Sequence, residues 1–279
     1  MTPVYRIRRT LRSLLTYVLL CAIAVLFMAP FALLLSTALK SSGQDVFGFP
    51  PQWIPRPPVL TWFGEAWSTI PFARYLLNSV IYEIGIIPAY LVVSALTAYP
   101  LAVMRFRGRT VLFYLFLATM FMPAEVLLIP RFMVVSQLGL NDTYVGVMLP
   151  AILSAIGIFL LRQTFAAVPR ELLDAAAIDG CGHLRVLWHV MVPVARPTFA
   201  VLSILGFISV WNSFIWPLVV LNDTDKYPIV LGLAFLSGIA GNDVRGLAAG
   251  TIISIIPITV FFLLMQRHIL DGMSGAVKG

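Results

Sequence analysis

The sequence predicts an all-α membrane protein with six transmembrane helices, and three observations carry this prediction. The chain is 60% hydrophobic and only 11% charged, with a mean hydropathy of +0.94, whereas a soluble domain averages about 25% charged residues. Six apolar runs of about 20 residues are each long enough to cross a hydrocarbon core of ~30 Å. The alternating apolar and polar decamers of a membrane β-barrel are not found in the sequence, and a helix satisfies its own backbone in lipid.

The six predicted spans follow the apolar runs in chain order. They cover residues 13–38, 76–102, 110–130, 144–163, 198–221 and 247–266. The first run begins after a basic segment, as a signal peptide does, but its core is about twice the usual length and lacks a convincing cleavage site. We therefore expect it to remain as a membrane helix. Cys21 in this run and Cys181 in a polar loop lie in different environments, which argues against a disulfide.

The polar connections carry structural signals of their own. The outer loop at 39–75 is rich in proline, glycine and tryptophan, which excludes one continuous helix. Within this loop, Trp62 to Trp67 are predicted to form a short helix. Residues 130–140 have an amphipathic pattern that ends at Gly139, which predicts a helix at the outer surface. No internal repeat is evident, and we predict a single domain over residues 1–279.

The net charge of +7 is distributed unevenly around the predicted spans. With six spans and a cytoplasmic N-terminus, 13 of the 19 basic residues fall on the cytoplasmic side. The six on the outer side are Lys40, Arg56, Arg74, Arg131, Lys226 and Arg245. This is the positive-inside bias of membrane proteins, so the charge indicates orientation in a membrane rather than nucleic-acid binding. It predicts that both termini and the loop at 164–197 are cytoplasmic.

The cytoplasmic loop at 164–197 has the pattern of two short helices. Pro169 suits the first turn of a helix, and Glu171 places negative charge near the positive end of the helix dipole. Gly180 can supply the left-handed residue that ends this helix. The positions that share one face at helical spacing are Leu172, Ala175, Ala176 and Asp179.

A second helical pattern begins at Gly182. Its common face consists of Leu184, Leu187, Trp188 and Met191. The pair Val192-Pro193 is predicted to end this helix, because the residue before a proline disfavours the helical conformation. Two helices joined at a glycine would make a compact projection that can dock into a cleft of a partner. An ordinary interfacial helical hairpin would have the same pattern.

This segment resembles the EAA loop of ABC importer permeases. The family pattern is a Glu-Ala-Ala triplet, three residues, a glycine, and a hydrophobic-proline pair near the end. Here Asp174, Ala175, Ala176 and Gly180 stand at the matching positions, and Val192-Pro193 closes the pattern. Asp174 departs from the usual glutamate and shortens its reach by one methylene. The resemblance implies a set of ATPase-coupling residues: Glu171, Asp174, Ala175, Ala176, Asp179 and Gly180.

The resemblance extends to most of the chain from about residue 35 onward. Residues 47–53 and 211–217 look like segments of carbohydrate-type permeases, and the tail at 266–279 is similar to that of maltose permeases. The family implies the ABC importer permease (MetI-like) fold in one permease domain of a bacterial or archaeal inner membrane. It implies a second homologous permease subunit, two ATPase subunits that carry ATP and Mg²⁺, and an extracytoplasmic solute-binding protein. Transport by alternating access follows from the same resemblance.

Two places in the spans are candidates for a substrate pathway. Glu125 lies about 15 residues into the third predicted span, where a carboxylate is costly unless it faces protein or water. It could line the pathway or form a structural contact between helices. In the fifth span, Ser209, Asn212 and Ser213 form a polar stripe flanked by Trp211 and Trp216.

This aromatic and polar stripe has two interpretations. Hydrogen-bonding groups beside aromatic faces suit a sugar, but tryptophan is also common in the aromatic belt of membrane interfaces. We expect Asn212 to face the pathway at the interface with a partner permease. Residues two apart on a helix differ by about 200° in direction, so Phe214 is then expected to face away.

Motifs for catalysis or nucleotide binding are not found in the sequence. No GxxxxGK[ST] phosphate loop occurs, so the energy for transport has to come from a partner, and this chain is expected to be a transport subunit rather than an enzyme. His183 and His189 are six residues apart and do not predict a metal site. The alternatives are an ion-coupled secondary transporter or a channel, which more often carries several ionisable residues in its spans, and an intramembrane enzyme. The sequence alone does not distinguish sugars from amino sugars or glycerol phosphodiesters.

Overall fold

The computed structural model describes residues 3–239 and 243–276, with side chains over 12–236 and 243–266. This part of the chain is helical apart from its connections and an isolated β-bridge between Lys40 and Pro58. The α-helices in chain order are α1 Pro3–Leu39, α2 Thr61–Thr69, α3 Phe72–Ala102, α4 Arg109–Thr119, α5 Leu128–Gln137, α6 Tyr144–Met148, α7 Ala155–Ala166, α8 Arg170–Ile178, α9 His183–Val186, α10 Val192–Val194, α11 Arg196–Trp211, α12 Ile215–Val220, α13 Ile229–Ile239 and α14 Val244–Ala276.

The chain divides into two compact units. The first comprises Met1–Ile70 with Leu233–Ile253. Within it, the Arg245 guanidinium donates to the carbonyls of Ser42 and Gln44 and lies 5.7 Å from the centroid of the Trp62 ring. The Trp62 indole N–H donates to the Lys40 carbonyl at 2.7 Å. These contacts order the proline-rich loop, and the short helix expected at Trp62–Trp67 is present as α2.

The second unit comprises Pro71–Gly232 with Ser254–Gly279. Its centre is α3, which packs against α7 and α11. Gly157 of α7 lies directly on α3, because a Cβ built on Gly157 would be 2.5 Å from the Ser94 Oγ and 2.6 Å from Tyr90 Cε2. Small residues allow this close approach, which is how helices associate in membranes without a hydrophobic driving force between them.

The helices confirm a membrane architecture, although their bounds differ from the predicted spans. Within the described residues, three helices are long and apolar enough to cross a membrane: Arg12–Leu39, Phe72–Ala102 and Val244–Gln266. Two bent pairs meet the same criterion, Tyr144–Ala151 with Ala155–Ala166 at 42° and His183–Val194 with Arg196–Trp211 at 80°. A shorter apolar helix covers Arg109–Thr119. Each predicted span therefore has a helical counterpart.

Three predicted spans are wrong as single helices. The third, predicted at 110–130, is helical only as α4, and turns follow until α5 begins at Leu128. The fourth, predicted at 144–163, is bent by 42° at the break between Tyr144–Ala151 and Ala155–Ala166. The fifth, predicted at 198–221, is interrupted between α11 and α12. Pro123 has no backbone N–H to donate, and the Asn212 side chain donates to the Ile208 carbonyl at 2.7 Å. In the third span the break lies near a proline that cannot donate a helical hydrogen bond, and in the fifth it lies where a side chain occupies a helical carbonyl. Apolar composition reveals neither.

An ion cluster holds the segment between α12 and α13. The Lys226 ammonium lies 3.2 Å from the Asp142 carboxylate and 3.0 Å from that of Asp223. Asp142 Oδ1 also accepts the backbone N–H groups of Asn222 and Asp223, at 3.1 and 3.0 Å. The pKa of Asp142 lies below its ordinary value of 3.8. The hydrogen bond from the Asp223 N–H lowers it most, and the Asn222 N–H and Lys226 lower it further. Asp142 has a φ of 56°, a conformation that aspartate and asparagine tolerate better than most residues.

We expect Asp142→Ala to lower the thermal unfolding midpoint of the purified transporter at pH 7 by roughly 2–4 °C. Asp142→Asn keeps an oxygen for the two N–H groups and should cost less. A carboxyl with a lowered folded-state pKa contributes stability above its unfolded pKa and loses it as the pH falls through the folded value. The difference between wild type and Asp142→Ala should therefore be smaller at pH 3 than at pH 7. A difference that grows on acidification would contradict this account.

Candidate coupling loop and solute cavity

The first helix of the predicted cytoplasmic loop is α8. Pro169 precedes it with a φ of −55°, and Glu171 lies in its first turn. At the other end Gly180 has a φ of +73°. The Cys181 N–H donates to the Ala176 carbonyl at 2.9 Å, and the Gly180 N–H donates to Ala177 at 3.1 Å. This pair of bonds is a Schellman cap, so the prediction of a left-handed glycine at this helix end is confirmed.

The residues predicted to couple to an ATPase are mostly exposed on this chain. Glu171, Asp174, Ala175, Asp179 and Gly180 are exposed, whereas Ala176 is buried. Two apolar side chains of α8 are exposed beside them, Leu172 at 47% and Ile178 at 87%. This part of the loop therefore presents both carboxylates and apolar side chains at its surface.

The second helix of the loop differs from the prediction. Leu187 and Met191 are buried as expected, but Leu184 and Trp188 are exposed. A π-helical segment at Leu187–Met191 interrupts the regular angular spacing from Leu187 onward. The pair Val192-Pro193 does not end the helix, since α10 continues to Val194. The chain turns by 80° only after this point, where α11 begins.

A contact that the sequence did not indicate joins the loop to α3. The Tyr99 hydroxyl and His183 Nδ1 are 3.1 Å apart, and their rings meet edge to face at 6.0 Å. This contact links His183, the first residue of α9, to Tyr99 in the C-terminal part of α3.

A cavity of about 470 Å³ lies among α3, α5, α6, α7, α11 and α12. This is within the usual range of ligand pockets, roughly 300–1,000 Å³. Its polar and aromatic lining consists of Ser79, Tyr82, Tyr90, Arg131, Ser154, Ser209, Ser213 and Trp216. The apolar lining includes Ile86, Ile87, Val147, Leu205 and Val210.

Three of the six pathway candidates, Ser209, Ser213 and Trp216, line this cavity. The Trp216 indole N–H donates to the Val147 carbonyl at 3.2 Å, which fixes its ring. Sequence reasoning missed Tyr82, Tyr90 and Arg131, the first two because they lie in an apolar span. Arg131 was counted only as a charge of the outer side.

The other three candidates are not among the lining residues. Trp211 is 2% exposed and stacks on Phe207 with ring centroids 5.5 Å apart. Asn212 is exposed and follows the last residue of α11. The prediction that Asn212 and Phe214 face opposite directions on one helix is wrong, because α11 ends at Trp211 and α12 begins only after Phe214.

The two acidic residues of the predicted spans, Glu83 and Glu125, lie in different environments. Glu125 is exposed in the turns between α4 and α5, so its predicted position inside a helix is wrong. Glu83 of α3 is 5% exposed, and neither of its carboxylate oxygens has a hydrogen-bond partner in the described part of the chain. Among the described residues no group of three or more His, Cys, Asp or Glu side chains could hold a metal ion.

Comparison with known proteins places this geometry in context. Residues 90–275 match the family model described as the binding-protein-dependent transport system inner membrane component. The chain is 39% identical over 220 residues to the arabinooligosaccharides transport system permease protein AraQ of Halalkalibacterium halodurans, covering 78% of this chain and 74% of that protein. It is 33% identical over 249 residues to the sn-glycerol-3-phosphate transport system permease protein UgpE of Yersinia pestis, covering 86% and 89%.

A solved structure extends the similarity to the whole fold. A chain of a bacterial ABC transporter involved in the import of the acidic polysaccharide alginate superposes with a TM-score of 0.77 at 25% identity. The superposition covers 96% of this chain and 98% of the other. The expected permease fold is thereby confirmed over nearly the full length.

Proposed function

Because the chain belongs to the family of binding-protein-dependent transport system inner membrane components, we propose that it is the permease subunit of an ATP-binding-cassette importer for a sugar or a related polar solute. The similar proteins are named for arabinooligosaccharides and sn-glycerol-3-phosphate. Both are polyhydroxylated, which supports this class of solute. An external binding protein delivers the solute, and a second permease subunit completes the pathway.

The observation that carries this proposal is the exposed surface of α8. It combines a negatively charged side with Leu172 and Ile178, and a glycine cap ends it. Two ATPase subunits carry the nucleotide and its Mg²⁺, and one of them receives this surface in a cleft. Asp174 is the candidate for a charge-assisted contact with a basic group there, with Glu171 and Asp179 beside it.

Coupling follows from the contacts of the loop. When ATP closes the two ATPases, the cleft carries α8 with it. The Tyr99–His183 contact passes this displacement to α3, which lines the solute cavity through Ser79, Tyr82 and Tyr90. The cavity therefore opens alternately to the two sides of the membrane. The excess of basic residues on one side supports a cytoplasmic position for the loop and both termini.

Ile178→Asp is expected to reduce the amount of ATPase that co-purifies with this chain by roughly tenfold, because a central apolar anchor contributes a large share of binding energy and a charge buried in its place is costly. Ile54→Asp is the matched control, since Ile54 is also exposed, at 62%, but lies in the loop before α2. It should leave ATPase recovery unchanged. Equal recovery with wild type and Ile178→Asp, at equal amounts of inserted protein, would remove α8 as the docking surface.

A further inference from the structure

The solute cavity is lined by one cationic side chain, that of Arg131, which has no anionic partner among the described residues. Arg131 of α5 is half-buried and lines the cavity. It makes no ion pair within the described residues, and no aspartate or glutamate is among the lining residues. The nearby Lys226 differs in this respect, because Asp142 and Asp223 neutralise it.

The Arg131 guanidinium lies over an aromatic ring of the cavity lining. Its central carbon lies 5.5 Å from the centroid of the Trp216 ring, within the range of a cation–π interaction. The Trp216 ring is itself fixed by its hydrogen bond to Val147. A guanidinium carries its N–H donors in a planar fork, which can bind a carboxylate or a phosphate bidentately.

Two serine hydroxyls complete the polar part of the cavity. Ser209 and Ser213 line it, and among the described residues neither hydroxyl has a hydrogen-bond partner, although the Ser213 backbone N–H donates to the Val210 carbonyl. The hydroxyl of Tyr82, by contrast, is already engaged, because it donates to the Lys226 carbonyl at 3.0 Å. One uncompensated cation with two unengaged hydroxyls, beside the aromatic faces of Tyr90 and Trp216, suits an anion carried on a sugar-like body.

We propose that this cavity selects solutes with an oxyanion, a carboxylate or a phosphate ester on a polyhydroxylated body, and that Arg131 is the residue that binds the oxyanion. This specifies the solute class of the importer and rests on the proposed function. Because the positive potential of the cavity is a property of this chain, it can be measured separately from transport.

The first experiment measures that potential in the complete transporter, reconstituted without cysteines by changes that include Cys21→Ala and Cys181→Ser. The Ser213→Cys variant is labelled with an anionic reagent, sulfonatoethyl methanethiosulfonate, and with a cationic one, trimethylammonioethyl methanethiosulfonate. The anionic-to-cationic rate ratio should fall about fivefold or more when Arg131→Gln is added, because a unit charge acts strongly at short range in a medium of low dielectric constant. Arg131→Lys should keep the ratio. Asn212 is not among the lining residues, so the rate ratio of the Asn212→Cys variant should change little when Arg131 is replaced.

The second experiment identifies the anion through protection of the Ser213→Cys variant. Galacturonate represents the carboxylate, sn-glycerol 3-phosphate represents the phosphate ester, and arabinose is the neutral control. One of the two anions should slow labelling, arabinose should not, and Arg131→Gln should remove the protection. Arg56→Gln, an exposed arginine of the loop before α2, should not remove it.

The outcomes separate this proposal from the proposed function. A rate ratio that is the same with arginine and glutamine at 131, or equal protection by arabinose, overturns the oxyanion site even if the transporter imports a neutral sugar. The expected ratio and protection together with no ATP-driven uptake of any probe would leave the oxyanion site in place and overturn the importer. Unfolding midpoints of Arg131→Gln and Arg131→Lys that match wild type would show that the changes are electrostatic.

Discussion

Gly180→Trp is expected to abolish transport while leaving the chain in the membrane. Gly180 has a φ of +73°, and a side chain in this left-handed conformation costs about 1–2 kcal/mol. The added ring has open space on this chain, since nothing lies within 4 Å of a Cβ at this position. The ring therefore fits the isolated permease but occupies the volume that an ATPase cleft needs. Solute uptake and the amount of ATPase that co-purifies should both fall by about tenfold or more, because the ring disrupts contacts at the docking surface.

The controls separate backbone strain from bulk at the docking surface. Gly180→Asn should keep most of the transport, because asparagine adopts the left-handed conformation readily and is small. Gly182→Trp adds the same ring two residues later, where φ is −70° and the side chain also has open space. It should be the milder of the two tryptophan variants. Normal uptake by Gly180→Trp, at normal expression, would refute the assignment of this loop to coupling.

Gly157→Leu is expected to prevent assembly of a stable transporter. A Cβ at Gly157 would lie 2.5 Å from the Ser94 Oγ, 2.6 Å from Tyr90 Cε2 and 2.9 Å from the Tyr90 hydroxyl. Ser94 and Tyr90 are almost fully buried, at 0% and 4% exposed, so the added side chain has to displace Ser94 or push Tyr90 into the solute cavity that it lines. Overpacking of a tight core typically costs about 1–3 kcal/mol, and leucine adds three carbons beyond Cβ. Yield after detergent extraction and the unfolding midpoint should both fall, and transport with them.

Two variants test whether the loss comes from the contact between α3 and α7. Gly64→Leu makes the same change in α2, where a Cβ meets nothing within 4 Å, and it should be neutral. Adding Ser94→Gly to Gly157→Ala removes the nearest atom and should restore part of the stability that Gly157→Ala loses, as expected of residues in contact. Additive effects of the two changes would show that Gly157 acts elsewhere.

The first helix of the proposed coupling loop was predictable because its signals are local. Proline before a helix and glycine after it specify backbone conformation through their own covalent geometry. Asp174 and its neighbours could therefore be placed on α8 from the sequence. The exposed state of Trp188 was not predictable, because the π-helical segment Leu187–Met191 interrupts the regular spacing. The local pattern also did not indicate that Leu184, which precedes this segment, is exposed.

The cavity was only half predictable, for a different physical reason. Hydropathy reports which residues tolerate lipid but not where a helix breaks, so Glu125 was placed in a helix that ends at Thr119. The same break frees the chain to begin α5, which carries Arg131 into the cavity next to α12. A sequence count assigns Arg131 to the outer side as one charge among six. Its pairing with Trp216, 85 positions away, depends on tertiary packing.

The most direct test of the central claim is solute uptake into proteoliposomes that contain this chain, its partner permease and the ATPases, with the binding protein added outside. The account predicts uptake that requires both ATP and the binding protein, and that disappears when this chain is left out or carries Gly180→Trp. Uptake driven by an ion gradient, without ATP and without the binding protein, would contradict it and identify an ion-coupled secondary transporter instead.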